Sequence, residues 1–123
     1  MRCRALNLIG FMFNKYASSR LRKLPSNEEI LPEVRGDTAE ALANIGDRKA
    51  IPLLIKASYD SSPIVRFWAC YALGQMPDRR SLPRLEQIAE FDDGEIEHFG
   101  SVKAEAKDAM IHVLRRYMKK RRC

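Results

Sequence analysis

The chain carries the same residue pattern twice, at a spacing of 31 positions. Shifting the sequence by that distance aligns nine identical residues within a window of 23. The identical pairs are Pro32/Pro63, Val34/Val65, Arg35/Arg66, Ala41/Ala72, Leu42/Leu73, Asp47/Asp78, Arg48/Arg79, Pro52/Pro83 and Leu54/Leu85. A repeat of this length is typical of solenoids, in which similar units stack because none can bury its apolar face alone.

Each unit is predicted to form two helices. A proline near the first turn is followed by apolar residues at three- and four-residue steps, which indicates an amphipathic helix. Gly46 ends this helix in the first unit and Pro77 ends it in the second, where Ser62 is the predicted N-cap. A turn containing Asp and Arg follows, and Pro52 or Pro83 then lies in the first turn of a shorter helix.

Helical patterns also flank the two units. A third copy of the first half begins near Val102, displaced by 37 positions, so the segment from Phe91 to Ser101 holds about six additional residues. An amphipathic helix is predicted before the repeats. We therefore expect one domain over 1–123, with an N-terminal capping helix (1–24), repeat 1 (31–59), repeat 2 (62–91), a half repeat (101–119) and a basic tail (119–123).

The repeats are similar to a known family. Val-Arg-x5-Ala-Leu followed by Gly-Asp-Arg-x-Ala-Ile-Pro-Leu-Leu in 34–54, and the corresponding string in 65–85, resemble HEAT repeats of the type found in phycobilisome lyases. The resemblance implies an all-α fold, a short right-handed α-solenoid of about six helices with capping end helices. Because the family includes lyase subunits, deoxyhypusine hydroxylases, DNA glycosylase-like proteins and scaffolds, it implies the fold more than the function.

The charge is unevenly distributed along the chain. Residues 1–25 carry six basic side chains and no acid, residues 26–97 have a net charge of −6, and residues 98–123 have a net charge of +6. A nucleic-acid module with one continuous basic stripe would not have an acidic centre.

The second helices of such solenoids line the concave surface, so their polar positions form a candidate binding row. The row consists of Lys49, Leu53 and Lys56 from repeat 1 and Arg80, Arg84 and Gln87 from repeat 2. Its cations would suit an acidic segment of another protein, and a solvated helix face is the alternative.

The C-terminal tail is the strongest local charge signal. Its basic residues are Arg115, Arg116, Lys119, Lys120, Arg121 and Arg122. They could attract nucleic acid, an anionic membrane surface or an acidic protein, or could serve only to solubilise the chain. The half repeat lacks a second helix, which leaves an apolar end that could dimerise.

Two sets of repeat residues receive a structural interpretation. Asp47 and Asp78 are predicted to cap the short helices and to meet Arg35 or Arg66 of an adjacent unit. In the second unit, Trp68 lies on the predicted apolar stripe and is expected in the core, whereas the adjacent Phe67 is expected to be partly exposed.

No catalytic constellation is evident. His98 follows Glu97 in an acidic insert that we interpret as a solvated loop, and His112 lies within a helical pattern, so we expect no metal site. The resemblance implies His-Glu pairs in the hydroxylases, and this sequence has only the reverse order. Cys70 is predicted to be buried and no histidine is near it in sequence, so we expect neither an enzyme nor a cofactor.

Compartment and function follow from these points. The cysteines form no CxxC pattern, which favours a reducing cytoplasm, and no stretch approaches the ~20 apolar residues of a membrane span. We predict a protein–protein interaction or scaffold module that binds on its concave face. The alternatives are nucleic-acid binding through the basic ends and a non-catalytic subunit of a lyase-like enzyme.

Overall fold

A computed structural model describes residues 31–122, with side-chain environments up to Lys119. This part of the chain forms five α-helices and one short hairpin. In chain order these are α1 (Pro32–Ile45), α2 (Ile51–Ala57), α3 (Pro63–Gln75), α4 (Leu82–Phe91), β1 (Glu95–Ile96), β2 (Gly100–Ser101) and α5 (Val102–Arg122), with 3-10 turns at Arg48–Ala50 and Arg79–Ser81. The predicted N-terminal helix lies outside the described residues.

The helices form a short all-α solenoid, as the repeat predicted. The first helices of successive units pack side by side, α1 on α3 and α3 on α5. Each second helix packs on the first helix of the following unit, so α2 lies against α3 and α4 against α5. Because the units bury their apolar surface against each other, they should be stable as a stack and not singly.

The core of this stack is built from aliphatic side chains at matching repeat positions. Leu42, Leu73, Leu54 and Leu85 are all fully buried. The first helices approach closely because small residues line their contacts: a Cβ added at Gly74 would lie 3.0 Å from the Cα of Ala109 in α5. This close approach sets the spacing between α3 and α5.

The structure confirms the predicted C-terminal ends of α1 and α3 but not the predicted side-chain cap of α3. Gly46 ends α1 in the left-handed conformation with φ of 74°, and α3 ends at Gln75, just before Pro77. Ser62 occupies the N-cap position of α3, but its side chain makes no capping hydrogen bond. Its backbone N–H instead donates to the Asp60 carboxylate at 2.9 Å.

The insert before α5 is an antiparallel hairpin, where the sequence indicated a solvated loop. Glu95 pairs with Ser101, and the backbone N–H of Val102 donates to the Gly94 carbonyl at 3.0 Å. Ile96 packs on the core. The insert is therefore an ordered part of the fold because its apolar side chains fold back onto α3.

The burial predicted for Phe67 and Trp68 is reversed. Phe67 is buried, whereas Trp68 is only partly buried. The hairpin brings Phe99 against Phe67, with ring centroids 5.8 Å apart, and so helps to cover a position that the helical pattern alone left open. Trp68 lies over Gly36 of α1, where an added Cβ would be 2.7 Å from the indole Cδ1 atom.

Candidate functional site

The six residues predicted to form the concave row lie on the second helices and their leading turns, at matching positions of the two units. Lys49, Lys56, Arg80 and Gln87 are exposed, and Leu53 and Arg84 are partly buried. We call these six residues the second-helix surface. Four of its six members can therefore reach a partner without any change in the fold.

Arg84 has a bracing contact that the sequence did not predict. Its Nε donates to the Ser58 hydroxyl at 3.1 Å and its Nη2 donates to the Ser58 carbonyl at 2.8 Å. The guanidinium also stacks over the Tyr59 ring, 3.7 Å from the centroid, and its Nη1 donates to the Gln87 side chain at 3.2 Å. Arg84 thus joins the end of α2 to α4 and holds the second-helix surface together.

Two exposed aromatic side chains extend this surface, and sequence reasoning missed both. Tyr59 is 63% exposed and Phe91 is 72% exposed, at the ends of α2 and α4. Phe91 lines an open cleft of about 360 Å³ together with Arg84, Gln87, Ile88 and Asp92. A signal was present in the sequence, because Tyr59-Asp60 matches Phe91-Asp92 when the shift is 32 and not 31.

The aspartates of these two dipeptides bind the repeat arginines. Arg35 donates to both carboxylate oxygens of Asp60, at 3.0 and 2.9 Å, and Arg66 donates to both of Asp92, at 2.7 and 3.1 Å. We call each pair an Arg–Asp lock. The locks replace the predicted pairing of these arginines with the turn aspartates, which the sequence pattern favoured because the turn aspartates keep the 31-residue spacing.

The turn aspartates serve the adjacent backbone. Asp47 accepts a hydrogen bond from the N–H of Lys49 at 3.0 Å, and Asp78 accepts one from the N–H of Arg80 at 2.9 Å. The contact between units is made by Arg48, whose Nη2 lies 3.3 Å from the Asp78 carboxylate. The hydrogen bond from the Arg80 side chain lowers the pKa of Asp78 to about 2, so this carboxylate is ionised at neutral pH.

Electrostatics at the second Arg–Asp lock favour the charged pair. Partial burial opposes ionisation of Asp92, but hydrogen bonds from Arg66 and from the N–H of Gly94 outweigh it and lower the pKa of Asp92. Arg66 also donates through Nη1 to the carbonyls of Asp60 and Ser61, at 2.9 and 3.0 Å. One arginine therefore ties the loop after α2 to the loop after α4.

The basic tail continues α5. Arg115, Arg116 and Lys119 are exposed and, with His112, line one side of an open cleft of about 440 Å³. Lys120, Arg121 and Arg122 follow in the helix, with side chains outside the described set. The helix is anchored by the Tyr117 hydroxyl, which accepts a hydrogen bond from the Arg79 N–H at 2.9 Å.

The groups with intrinsic reactivity are separated from each other. Cys70 is buried, as predicted, and burial raises the pKa of its thiol to about 12. His98 is exposed next to Glu97 in the hairpin, and His112 is exposed on α5. Within residues 31–119, no group of three or more His, Cys, Asp or Glu side chains is arranged to hold a metal ion.

Among the described residues, no α-helix has both the length and the apolar character needed to cross a membrane.

Comparison with known proteins identifies the repeats. A deoxyhypusine hydroxylase-B from Oryza sativa subsp. japonica is 36% identical over 74 residues, which are 60% of this chain and 24% of that protein. The chain thus spans about a quarter of that relative's length. No solved structure gave a significant match. The family of HEAT repeats matches residues 24–104, about two thirds of the sequence, and the chain belongs to that family.

Proposed function

We propose that this protein is an interaction module that docks an acidic segment of a partner protein on its second-helix surface. The observation that carries the proposal is the run of exposed cations, Lys49, Lys56 and Arg80, beside the exposed aromatic side chains of Tyr59 and Phe91. Stacked helical repeats commonly present extended surfaces of this kind to protein partners.

The two parts of the surface have different physical roles. Exposed cations increase the rate of encounter with an acidic segment and select against basic ones. Aromatic side chains contribute most of the binding energy once water is excluded around them. The Arg84 stack holds the Tyr59 ring in place, so less conformational entropy is lost when a partner binds there.

A role in binding is also consistent with the reactive groups. The Cys70 thiol is buried and its raised pKa keeps it protonated, which makes it a poor nucleophile. The exposed His98 and His112 lie on different elements. We therefore infer that the module acts by binding, and the catalytic activity named for the rice relative is not part of this proposal.

The test is quantitative affinity capture from native lysate. The double variant Lys49→Glu/Phe91→Ala removes one cation and one aromatic group from the docking region. Its matched control, Lys107→Glu/Ile111→Ala, makes the same kinds of change at exposed positions of α5. We expect the wild type and the control to retain a common set of proteins. The docking variant should recover these proteins in amounts that are lower by about tenfold or more. An equal loss in both variants, or no specific capture by the wild type, would contradict the proposal.

The cleft at the end of α5 supports a second candidate function, binding of nucleic acid. Arg115, Arg116 and Lys119 lie on one side of it and could contact successive phosphates. In that case, the logarithm of the affinity should fall with the logarithm of salt concentration by about 0.9 per phosphate contact on duplex DNA. Replacing Arg115 and Arg116 by Gln should reduce that slope, whereas replacing Lys49 and Lys56 by Gln should not. An unchanged slope in the first variant would exclude this site.

A further inference from the structure

The first-helix layer carries a cluster of aromatic rings that the proposed docking surface does not include. The Trp68 ring lies 5.4 Å from the Tyr71 ring and 5.6 Å from the Phe99 ring, at interplanar angles of 80° and 69°. Phe99 is 58% exposed, and Trp68 and Tyr71 are partly exposed. The Tyr71 and Phe99 rings therefore both make T-shaped contacts with the Trp68 ring, and all three rings have solvent access.

Acidic residues occupy the matching repeat positions of the neighbouring helices. Tyr71 occupies the repeat position of Glu40 in α1 and of Asp108 in α5, and Trp68 occupies that of Glu105. Because α1 and α5 both pack on α3, acids at these matching positions lie on the two helices next to the rings. Consistent with this, burial and the negative charges of Glu40 and Glu105 raise the pKa of Tyr71. We call Trp68, Tyr71, Phe99, Glu105 and Asp108 the aromatic–acidic patch.

The negative charge of the patch is not neutralised within the described structure. Among residues 31–119, no Lys or Arg side chain forms an ion pair with Glu40, Glu105 or Asp108. Partial burial and the nearby Asp108 raise the pKa of Glu105, because both disfavour its charged form. A buried carboxylate oxygen of Glu40, Oε2, likewise has no hydrogen-bond partner in this part of the chain. A cation brought to the patch would stabilise these charges.

We propose that the aromatic–acidic patch binds an arginine side chain from a basic segment of a partner protein. The face of an aromatic ring attracts a cation, and exposed carboxylates accept the paired N–H donors of a guanidinium. Arginine fits better than lysine because its planar group can stack on a ring and bind a carboxylate at the same time. The chain as a whole carries a net charge of +6, so general electrostatic attraction would not bring a basic segment to it.

This inference is independent of the proposed function. The patch is built from α3, α5 and the hairpin, whereas the second-helix surface is built from α2, α4 and their leading turns. The two surfaces also have opposite charge. A basic ligand on the patch and an acidic ligand on the second helices can therefore be tested separately, and either can fail alone.

Trp68 provides the readout because it is the single tryptophan of the chain. The probe is a Gly-Ser peptide with three arginines, compared with the same peptide carrying the neutral analogue citrulline and with a lysine version. We expect the arginine peptide to change the Trp68 emission saturably, the lysine peptide to bind more weakly and the citrulline peptide to have no effect. Equal binding of the citrulline peptide, or no saturable effect of the arginine peptide at low salt, would overturn the proposal.

Two variants locate the binding. Glu105→Gln/Asp108→Asn keeps the side-chain shapes and removes the charge, and should weaken binding of the arginine peptide by about fivefold or more. Phe99→Ala should weaken it as well. The control Glu86→Gln/Glu90→Gln removes two exposed charges from α4 and should leave the affinity within about twofold. Circular dichroism verifies the fold of each variant. The same affinity in both double variants would overturn the assignment.

Discussion

The two repeats contain the same Arg–Asp lock in different surroundings. In repeat 1, Arg35 and Asp60 are almost completely buried, with side-chain exposures of 4% and 5%. In repeat 2, the side chain of Arg66 is 17% exposed, and it also donates to backbone carbonyls of the loop after α2. The Arg35–Asp60 lock therefore lies in the interior, whereas Arg66 of the second lock also connects the loop after α2 to the loop after α4.

In both locks, the aspartate also accepts a hydrogen bond from the backbone N–H two residues further along the chain. The Asp60 carboxylate accepts the N–H of Ser62, and the Asp92 carboxylate accepts the N–H of Gly94, at 2.9 and 2.8 Å. The difference between the units is the residue that supplies this N–H. A Cβ fits at Ser62, whereas a Cβ at Gly94 would lie 2.8 Å from Arg66 Nη2. The burial of each lock should thus determine how much the lock contributes to the free energy of unfolding. The space beside the residue that supplies the N–H should determine whether that residue tolerates a larger side chain.

The largest effect is expected from Asp60→Ala. Removing this carboxylate takes away two hydrogen bonds and the opposite charge from the buried Arg35 guanidinium, and the loss of one member of a buried ion pair typically costs about 3–5 kcal/mol. Urea denaturation should show the decrease in the free energy of unfolding, and Asp93→Ala, at an exposed position, should change it by less than about 0.5 kcal/mol. A loss below about 1 kcal/mol for Asp60→Ala would mean that burial does not control the strength of the lock.

Asp92→Ala should cost less, about 1.5–3 kcal/mol, because water can reach Arg66 when its partner is lost. The same denaturation experiment measures it. If this variant were destabilised as much as Asp60→Ala, the contrast between the two locks would be refuted.

Gly94→Ala should destabilise by about 1–2 kcal/mol, within the usual range for overpacking, because the added Cβ would lie 2.8 Å from Arg66 Nη2, 2.9 Å from Asp92 Oδ1 and 3.0 Å from Pro63 Cβ. Ser62→Ala is the matched control and should be close to neutral, because the Ser62 hydroxyl caps nothing. Thermal unfolding of the two variants gives the comparison. Equal losses at both positions would contradict the account of local space.

The smallest effect is expected at the turn between α3 and α4. The folded pKa of Asp78 is about 2, below its ordinary value of 3.8, so its contribution is present above about pH 4 and is lost as the pH falls toward 2. Asp78→Asn should remove this part of the acid sensitivity. Because the surrounding ion pairs are exposed, the substitution should lower the free energy of unfolding at neutral pH by less than about 1 kcal/mol. The free energies of unfolding of wild type and variant should therefore converge near pH 2. A difference between them that grows on acidification would contradict the assigned role of Asp78.

Repeat structure was predictable from the sequence because it depends on local rules. The proline near each helix start, the left-handed Gly46 and the Asp caps act within one turn of chain. The positions of the paired helices and the burial of Cys70 follow from the same periodicity. The placement of the six row residues on the second helices and their leading turns follows from the same periodicity, whereas the bracing contact of Arg84 does not.

The long-range features required information that periodicity does not contain. The Arg–Asp locks join residues 25 and 26 positions apart, and their aspartates follow a shift of 32 and not 31. The burial of Phe67 depends on Phe99 of the hairpin, an insert present in one unit only. An inserted segment can thus change which of two adjacent helical residues is covered, and the helix pattern alone cannot show this.

Site-specific photocrosslinking tests most directly whether the second helices carry the docking surface. A photoreactive phenylalanine analogue is placed at Phe91 or at Leu114, which are both exposed in the structure and lie on α4 and α5. We expect irradiation in native lysate to give a discrete covalent adduct from position 91 and none from position 114. Adducts of equal yield at both positions, or an adduct at position 114 alone, would contradict the account.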